Sequence, residues 1–504
     1  MSSKQLSPEQ IAATVTDNAV LAFTSDASLL VCDAIFAAIE ERFLRTGHPR
    51  NLTLIQPCNG FVGIGTGIDR FMHEGLAKTL ITSILPPNKD SRTHQLHSSG
   101  HLELMLLPMG MLYSWLRETA ANRPGLITRI GLGTFVEQSV GREITIGGRQ
   151  QTLLERLEID GEDYLRLKPV RVDIAFLRAS TADKAGNVAL DLSELRLDPM
   201  AIALIGKCGG GKTFAQVEQV VDRIPAVKSV AVPSILIDGF CQVPDAPHSI
   251  YGGYDAALAN NEVAPPAAPE PLEPMREIMI RRAIREISQG AVVNLGVGIG
   301  AYLPGVMQSI PDAPACTFVT EHGSVGGVPL GDVNLFGLHR NAEALMNPSE
   351  MFAAYTGGLL DISVLGFAQV DAAANVNVSR FSGRSNGPGG FVDISANARK
   401  LVFCGTFTAG GLEVEVRDGE LRILREGKIR KFVEQVEEIT YSSQVLRGTN
   451  NRLLFVTERC VLEYCDGEWF LKEVTPGVRI VEDILSLLPF SVTVESAHRE
   501  AATA

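Results

Sequence analysis

One acidic and apolar pattern occurs twice in this chain, and it limits the fold more than any other feature. Asp173-Ile174-Ala175-Phe176-Leu177 continues to Asp183-Lys184-Ala185-Gly186-Asn187-Val188, and Asp361-Ile362-Ser363-Val364-Leu365 continues to Asp371-Ala372-Ala373-Ala374-Asn375-Val376. Asp, Ile, Leu, Asp, Ala, Asn and Val coincide at a constant offset of 188 (361 − 173). Solenoid repeats have periods of about 20–50 residues, so this spacing reads as a duplicated domain. Between the two copies, Ala264 to Pro274 (APPAAPEPLEP) holds five prolines, too many for a helix or a central strand. The expected division is therefore an α/β domain over 1–262, a stiff linker over 263–274 and a second α/β domain over 275–504.

Hydrophobic periodicity fills in both halves. Val20 to Phe23 reads as a strand, Ala27 to Arg45 as a helix with Leu29, Leu30, Ala34, Ile35 and Ile39 on one face, and Leu52 to Ile55 as a second strand. The glycine loop Gly63-Ile64-Gly65-Thr66-Gly67 is expected to lead into a helix through Phe71-Met72-His73-Glu74-Gly75-Leu76. Asp160-Gly161, Asp418-Gly419 and Asp466-Gly467 are hairpin-turn signals, and the C-terminal portion is rich in strands. After the linker the alternation restarts, with a basic amphipathic helix over Met275 to Ile287, a strand over Ala291 to Leu295 and the loop Gly296-Val297-Gly298-Ile299-Gly300. Strand–helix alternation of this kind specifies two similar open α/β domains with largely parallel sheets.

In the second half, the run Thr317-Phe318-Val319 ends in Thr320-Glu321-His322-Gly323-Ser324-Val325-Gly326-Gly327. A carboxylate at a strand end among small residues is open to close approach by a bulky ligand. Glu321 is accordingly a candidate covalent nucleophile; the plain alternative is a solvated loop glutamate. Three further motifs suggest other chemistry. Gly206-Lys207-Cys208-Gly209-Gly210-Gly211-Lys212-Thr213 matches a phosphate-binding P-loop, with Ile235-Leu236-Ile237-Asp238 imitating its aspartate strand, although a glycine turn between strands spells the same letters. Gly296 to Ala301 fits GxGxxA, with Glu321 about 20 residues further on where a ribose-binding acid would stand, which leaves a nicotinamide-dependent oxidoreductase open. His94, His97 and His101 have spacing that suits a metal, but the glycine and serines among them leave the geometry loose, so a polar loop with no metal is expected.

The net charge of −13 argues against a nucleic-acid partner. The eight cysteines form no CxxC pair and suggest reduced thiols in the cytoplasm. Met1 to Gln10 is polar and no apolar run approaches 18 residues, so neither a signal peptide nor a membrane span is expected.

Taken together these residues resemble the family I coenzyme A transferases, in particular the single-chain branch acting on acetate, propionate and short-chain 3-ketoacids. The resemblance is carried by His73-Glu74-Gly75-Leu76, Arg123-Pro124-Gly125-Leu126-Ile127-Thr128, Gly131-Leu132-Gly133-Thr134-Phe135, Thr181-Ala182-Asp183 and Gly186-Asn187. It continues through Val293-Asn294-Leu295-Gly296, Glu321-His322-Gly323, Gly326-Gly327-Val328-Pro329, Gln369-Val370-Asp371, Asn375-Val376-Asn377-Val378, Gly389-Gly390-Phe391 and Thr457-Glu458-Arg459. It implies that CoA moves from an acyl-CoA to a carboxylic acid through a thioester on Glu321, with CoA as substrate and transient adduct and no prosthetic group. It also implies that Gly389 and Gly390 lie at the thioester and its oxyanion, that the Gly296, Val297, Gly298, Ile299, Gly300 loop contacts CoA, and that the protein is a homo-oligomer, dimer or tetramer. A hydrolase discharging the same thioester with water is the near variant. Departures from the family pattern concern the acyl pocket. Pro108-Met109-Gly110 stands where the family has an amide, and Thr82-Ser83-Ile84-Leu85 replaces a glycine-rich segment, so Met109 and Leu85 are expected to line a more apolar pocket. For the CoA phosphates the sequence offers the basic run Arg425, Lys428, Arg430 and Lys431.

Overall fold

The computed structural model describes residues 4–26, 28–249, 251–265, 272–381, 383–444 and 452–494. Most of the expected linker, 266–271, lies outside these. In the first half seven parallel strands form one sheet, in the order Gly239–Gln242, Lys212–Val217, Ile174–Arg178, Val20–Phe23, Leu52–Gln56, Ala77–Thr82 and Glu103–Leu106. The strands are apolar on both faces because helices cover both, which is the usual condition of a parallel sheet. A second sheet of ten strands has a parallel centre, Thr317–Val319, Val292–Leu295, Ile362–Leu365, Leu401–Cys404 and Arg452–Val456. Antiparallel strands Cys460–Cys465 and Glu468–Val474 extend its far edge.

The repeated sequence pattern occupies the same place in each sheet. Ile174–Arg178 pairs in parallel with Val20–Phe23, and Ile362–Leu365 pairs in parallel with Val292–Leu295. The aspartate ahead of each strand accepts a bond from the neighbouring strand: Asp173 Oδ2 from Val20 N and Asp361 Oδ2 from Val292 N, both at 2.9 Å. The second aspartate of each copy closes a turn. Asp183 accepts from the backbone N–H of Ala185 and Asn187 and from Asn187 Nδ2, and Asp371 does the same with Ala373 and Asn375. The three polar residues of the repeat are thus turn and strand-entry devices.

Several local expectations need correction. The first long helix is Asp33–Thr46 and begins later than its apolar periodicity suggests, since Leu29 and Leu30 belong to the preceding turn. No helix follows the Gly63–Gly67 loop. Phe61–Gly63 and Thr66–Gly67 form a hairpin, Ile68–Phe71 is one 3₁₀ turn, and Arg70 is tied to Asp33 and Glu40. The GxxxxGKT stretch runs in the wrong order for a P-loop: Pro199–Cys208 is a helix, and Lys212 opens the strand that follows. Asp238, the aspartate of the imitation, serves the fold, since it pairs with Lys207 and accepts from Thr213 N. His94 and His97 lie on a helix, Arg92–Ser98, and bond the carbonyls of Pro86 and Leu102, while His101 reaches Glu74. They do not converge.

The halves meet through the helix Met109–Ala120 of the first and Pro348–Thr356 of the second, where the Tyr113 and Phe352 rings stack at 6.5 Å. Buried Asp198 accepts from Ser349 N at 2.7 Å and from its hydroxyl, and Arg117 Nη1 donates to Ser349 Oγ at 2.9 Å. No helix among the described residues is long and apolar enough to cross a membrane.

Candidate active site

Glu321 follows the strand Thr317–Val319 at the carboxyl edge of the second sheet, the edge where open α/β sheets bind ligands. The chain reverses at once. Thr320 N donates to Ser324 O, and the hydroxyls of Thr320 and Ser324 both donate to Gly337 O at 3.0 and 2.7 Å. Gly323 has φ +108°, and a Cβ there would lie 2.1 Å from Met346 O, so only glycine completes this turn. Glu321 itself is only 6 % exposed, which excludes the solvated-loop reading.

Asn294, in the middle of the apolar strand Val292–Leu295, spreads its amide toward three acceptors. Nδ2 lies 3.4 Å from Glu321 Oε2, 3.3 Å from Val319 O and 3.4 Å from Tyr355 Oη. Ser363 Oγ donates to Asn294 Oδ1 at 3.2 Å and fixes which way the amide faces. On the other side of the carboxylate is Gly390, where a Cβ would stand 3.3 Å from Glu321 Oε1. The segment carrying Gly389 and Gly390 is stitched to the first half: Leu85 N donates to Asn386 O, Gly389 N to Ser83 O and Met109 N to Gly389 O, at 2.8, 3.0 and 2.9 Å.

Four ionisable neighbours complete the site. Asp393, on the helix Phe391–Asn397, accepts from Gly110 N at 3.0 Å, and burial, helped by nearby Glu321, pushes its carboxyl up to about 7. His322 Nε2 lies 2.6 Å from Asp26 Oδ2, a contact between the two halves, and Cys58 Sγ donates to Asp26 Oδ1 at 2.7 Å. Burial raises the pKa of Glu321, and His322 acts against that rise. For attack its charge has to be sustained in a desolvated place. Asp26, Cys58 and His322 are also the one group among the described residues whose metal-ligand-type atoms converge, and there His322 pairs with one oxygen of Asp26 while Cys58 Sγ donates to the other.

The remaining sequence candidates separate. The loop Gly296 to Gly300 ends its strand at the same sheet edge, with Val297 and Gly298 exposed and Gly298 at φ +107°. Directly after it, Ala301, Tyr302 and Val306 line a cavity of about 920 Å³ whose opposite wall includes Tyr251 and Leu258 from the first half. Met109 is buried with Tyr113, Phe352 and Tyr355 and abuts Gly389. Leu85 does not join it: its side chain belongs to the first half's own core, the cluster that also holds Phe71 and Leu96, and its neighbour Ile84 lies against the Gly389 side. The basic run does not gather into a phosphate cradle. Arg425 pairs with Glu413, Arg430 donates to Leu487 O, and Lys431 is buried over the Phe367 ring, its amine pushed down to about 8 by burial. Asn294, His322, Asp393 and Asp26 went unassigned in the sequence. Asn294 and Ser363 had a readable signal, a polar residue interrupting an apolar central strand.

Residues 10–241 match the family described as coenzyme A transferase. A caffeate CoA-transferase of Acetobacterium woodii is 34% identical over 494 residues, covering 93% of this chain and 90% of its own. The acetate CoA-transferase YdiF of Escherichia coli K12 is 33% identical over 499 residues, covering 96% and 92%. The crystal structure of the acyl-CoA transferase YdiF from E. coli O157:H7, solved as a thioester complex with CoA, superposes with a TM-score of 0.85 at 31% identity over 98% of this chain and 94% of that one.

Proposed function

The chain belongs to the coenzyme A transferase family and is a CoA-transferase, and on that premise we propose that Glu321 is its nucleophile and carries CoA covalently. A carboxylate oxygen of Glu321 bonds to the carbonyl carbon of an acyl-CoA, the C–S bond breaks, and CoA thiolate leaves an acyl-glutamyl anhydride. The thiolate attacks the glutamyl carbonyl, the anhydride C–O bond breaks, and the free acid departs as its carboxylate. A second carboxylate runs the sequence backwards. Every step exchanges one activated carbonyl for another, so no proton has to be supplied, and the kinetics are ping-pong.

The observation that carries this reading is the burial of Glu321 directly against Gly390, 3.3 Å from where a side chain would begin. On this reading the thioester meets the enclosed nucleophile at the Gly390 backbone, where no side chain stands in its way. Asn294 orients the carboxylate, and the Gly389–Gly390 backbone supplies the surface at which the oxyanion of each tetrahedral intermediate forms. The Gly296–Gly300 loop, exposed at Val297 and Gly298, and the neighbouring cavity offer the CoA chain a way in from the carboxyl edge. We assign the acid side to the region of Met109, and with it acids bulkier than acetate, in keeping with the relative named for caffeate. A homo-oligomer is part of the same proposal.

Enclosure of Glu321 also favours transfer over hydrolysis, because water reaches the thioester poorly. Steady-state rates with acetate, butyrate and a hydroxycinnamate as acceptors test both points. The expected result is parallel double-reciprocal lines, dependence on the acceptor acid, and preference for the larger acids. A rate independent of any acceptor would make the protein a hydrolase, and clear preference for acetate would remove the assigned role of Met109.

A further inference from the structure

The pair His322–Asp26 joins the residue next to the nucleophile to the opposite half of the molecule. His322 is 3% exposed and Asp26 is 7% exposed at the side chain, so their 2.6 Å contact is shielded from water and salt. Asp26 is held in turn by Cys58 Sγ, which donates to its other oxygen. Around His322 stand Asp26 and Cys58 from the first half, Glu321, His339 and the edge of Phe336 from its own half, with Tyr113 reaching the same cluster. Among these, Asp26 and Glu321 are the groups that stabilise positive charge on the imidazole.

We propose that His322 is a positioning residue whose charge, secured by Asp26 across the boundary between the halves, keeps the buried Glu321 ionised for attack. The inference rests on the assignment of Glu321 as nucleophile. Burial disfavours charge on Glu321 and on His322 alike, while the charge of each of these consecutive residues favours the charge of the other. A lone imidazolium here would lose its proton. Asp26 prevents this and brings the pKa of His322 up against the effect of burial. Because Asp26 comes from the other half, this support for the His322 charge is present only when the halves are together, which is also when burial makes Glu321 need it.

The two partners make opposite direct contributions to Glu321, and the test uses this. The negative charge of Asp26 by itself raises the Glu321 pKa, whereas the charge of His322 lowers it. The rate of covalent CoA adduct formation is measured by rapid mixing with acetyl-CoA or caffeoyl-CoA and mass spectrometry, between about pH 5 and pH 9. In the wild type the rate falls on the acidic side as Glu321 takes up a proton. His322→Gln is expected to move the midpoint of that fall up by about one pH unit or more. Asp26→Asn is also expected to move it up, because loss of the His322 charge outweighs loss of the direct repulsion, and the double variant moves it no further than His322→Gln alone. A downward or absent shift in Asp26→Asn, or no shift in His322→Gln, overturns the proposal. The two substitutions lie in different halves, so either variant that folds, as judged by thermal melting, suffices to decide the question. Absence of any adduct in the wild type would overturn the nucleophile assignment, and this inference with it.

Discussion

Asp393 shows how the buried carboxylates of the site bear on the stability of the whole chain. An unfolded aspartate titrates near 3.9, and this one is held up to about 7 by burial. Between those values the native protein holds a proton that the unfolded chain has released, so the contribution of Asp393 to stability falls as pH rises from about 4 to about 7 and is flat above. Asp393→Asn keeps an oxygen for Gly110 N and has no charge to bury. Melting temperatures across this range should therefore show the variant gaining on the wild type as pH rises, by an amount on the order of a few kcal/mol; parallel curves would mean that Asp393 is not titrating there. At this scale the sequence was informative about Glu321 and poor about its neighbours. Glu321 stood out because a strand ended in an acid among glycines. Asp26, His322 and Asp393 become a set only when chain segments hundreds of residues apart close on one another, and nothing local marks them.

Among elements, the segment 386–390 matters most, because it is the strip of backbone through which the two halves and the nucleophile meet. Gly387 has φ +86°, and a Cβ would lie 2.3 Å from Ser83 O, so that position belongs to the interface. Gly390 differs: its backbone is ordinary, and the added atom would face Glu321, Phe352 and Ile394 at 3.2–3.3 Å. Gly390→Ala should fold, with a melting temperature close to that of the wild type, yet form the CoA adduct roughly 10–100-fold more slowly, because the methyl takes the space of the thioester. Equal rates would show that the thioester lies elsewhere. Element types were legible where the period was long or the turn residues were strict, as in the Asp160-Gly161 hairpin between Leu154–Ile159 and Glu162–Leu167. The helix expected at 71–76 failed because tertiary ion pairs from Arg70 to Asp33 and Glu40 hold that stretch as a loop, and propensity alone does not see them. The P-loop letters failed for a related reason: order along the chain, helix before strand, decides the motif's function, and the letters do not encode it.

For the whole molecule, the repeat at offset 188 was the most reliable guide, since its aspartates and asparagine specify the same turns in both halves. What it does not specify is how the halves face each other. That is set by contacts such as the buried junction of Asp198, Ser349 and Arg117. Ser349→Ala leaves a buried carboxylate short of one donor and should cost roughly 1–3 kcal/mol, read as a lower melting temperature; an unchanged melt would mean the halves are held elsewhere. The function proposed for this architecture depends on one covalent bond. Intact-protein mass spectrometry after mixing with an acyl-CoA tests it most directly. The wild type should gain the mass of CoA less one water, and Glu321→Gln should not; a wild type that gains nothing from short, branched and aromatic acyl-CoAs, or a Glu321→Gln variant that gains as much, would contradict the account.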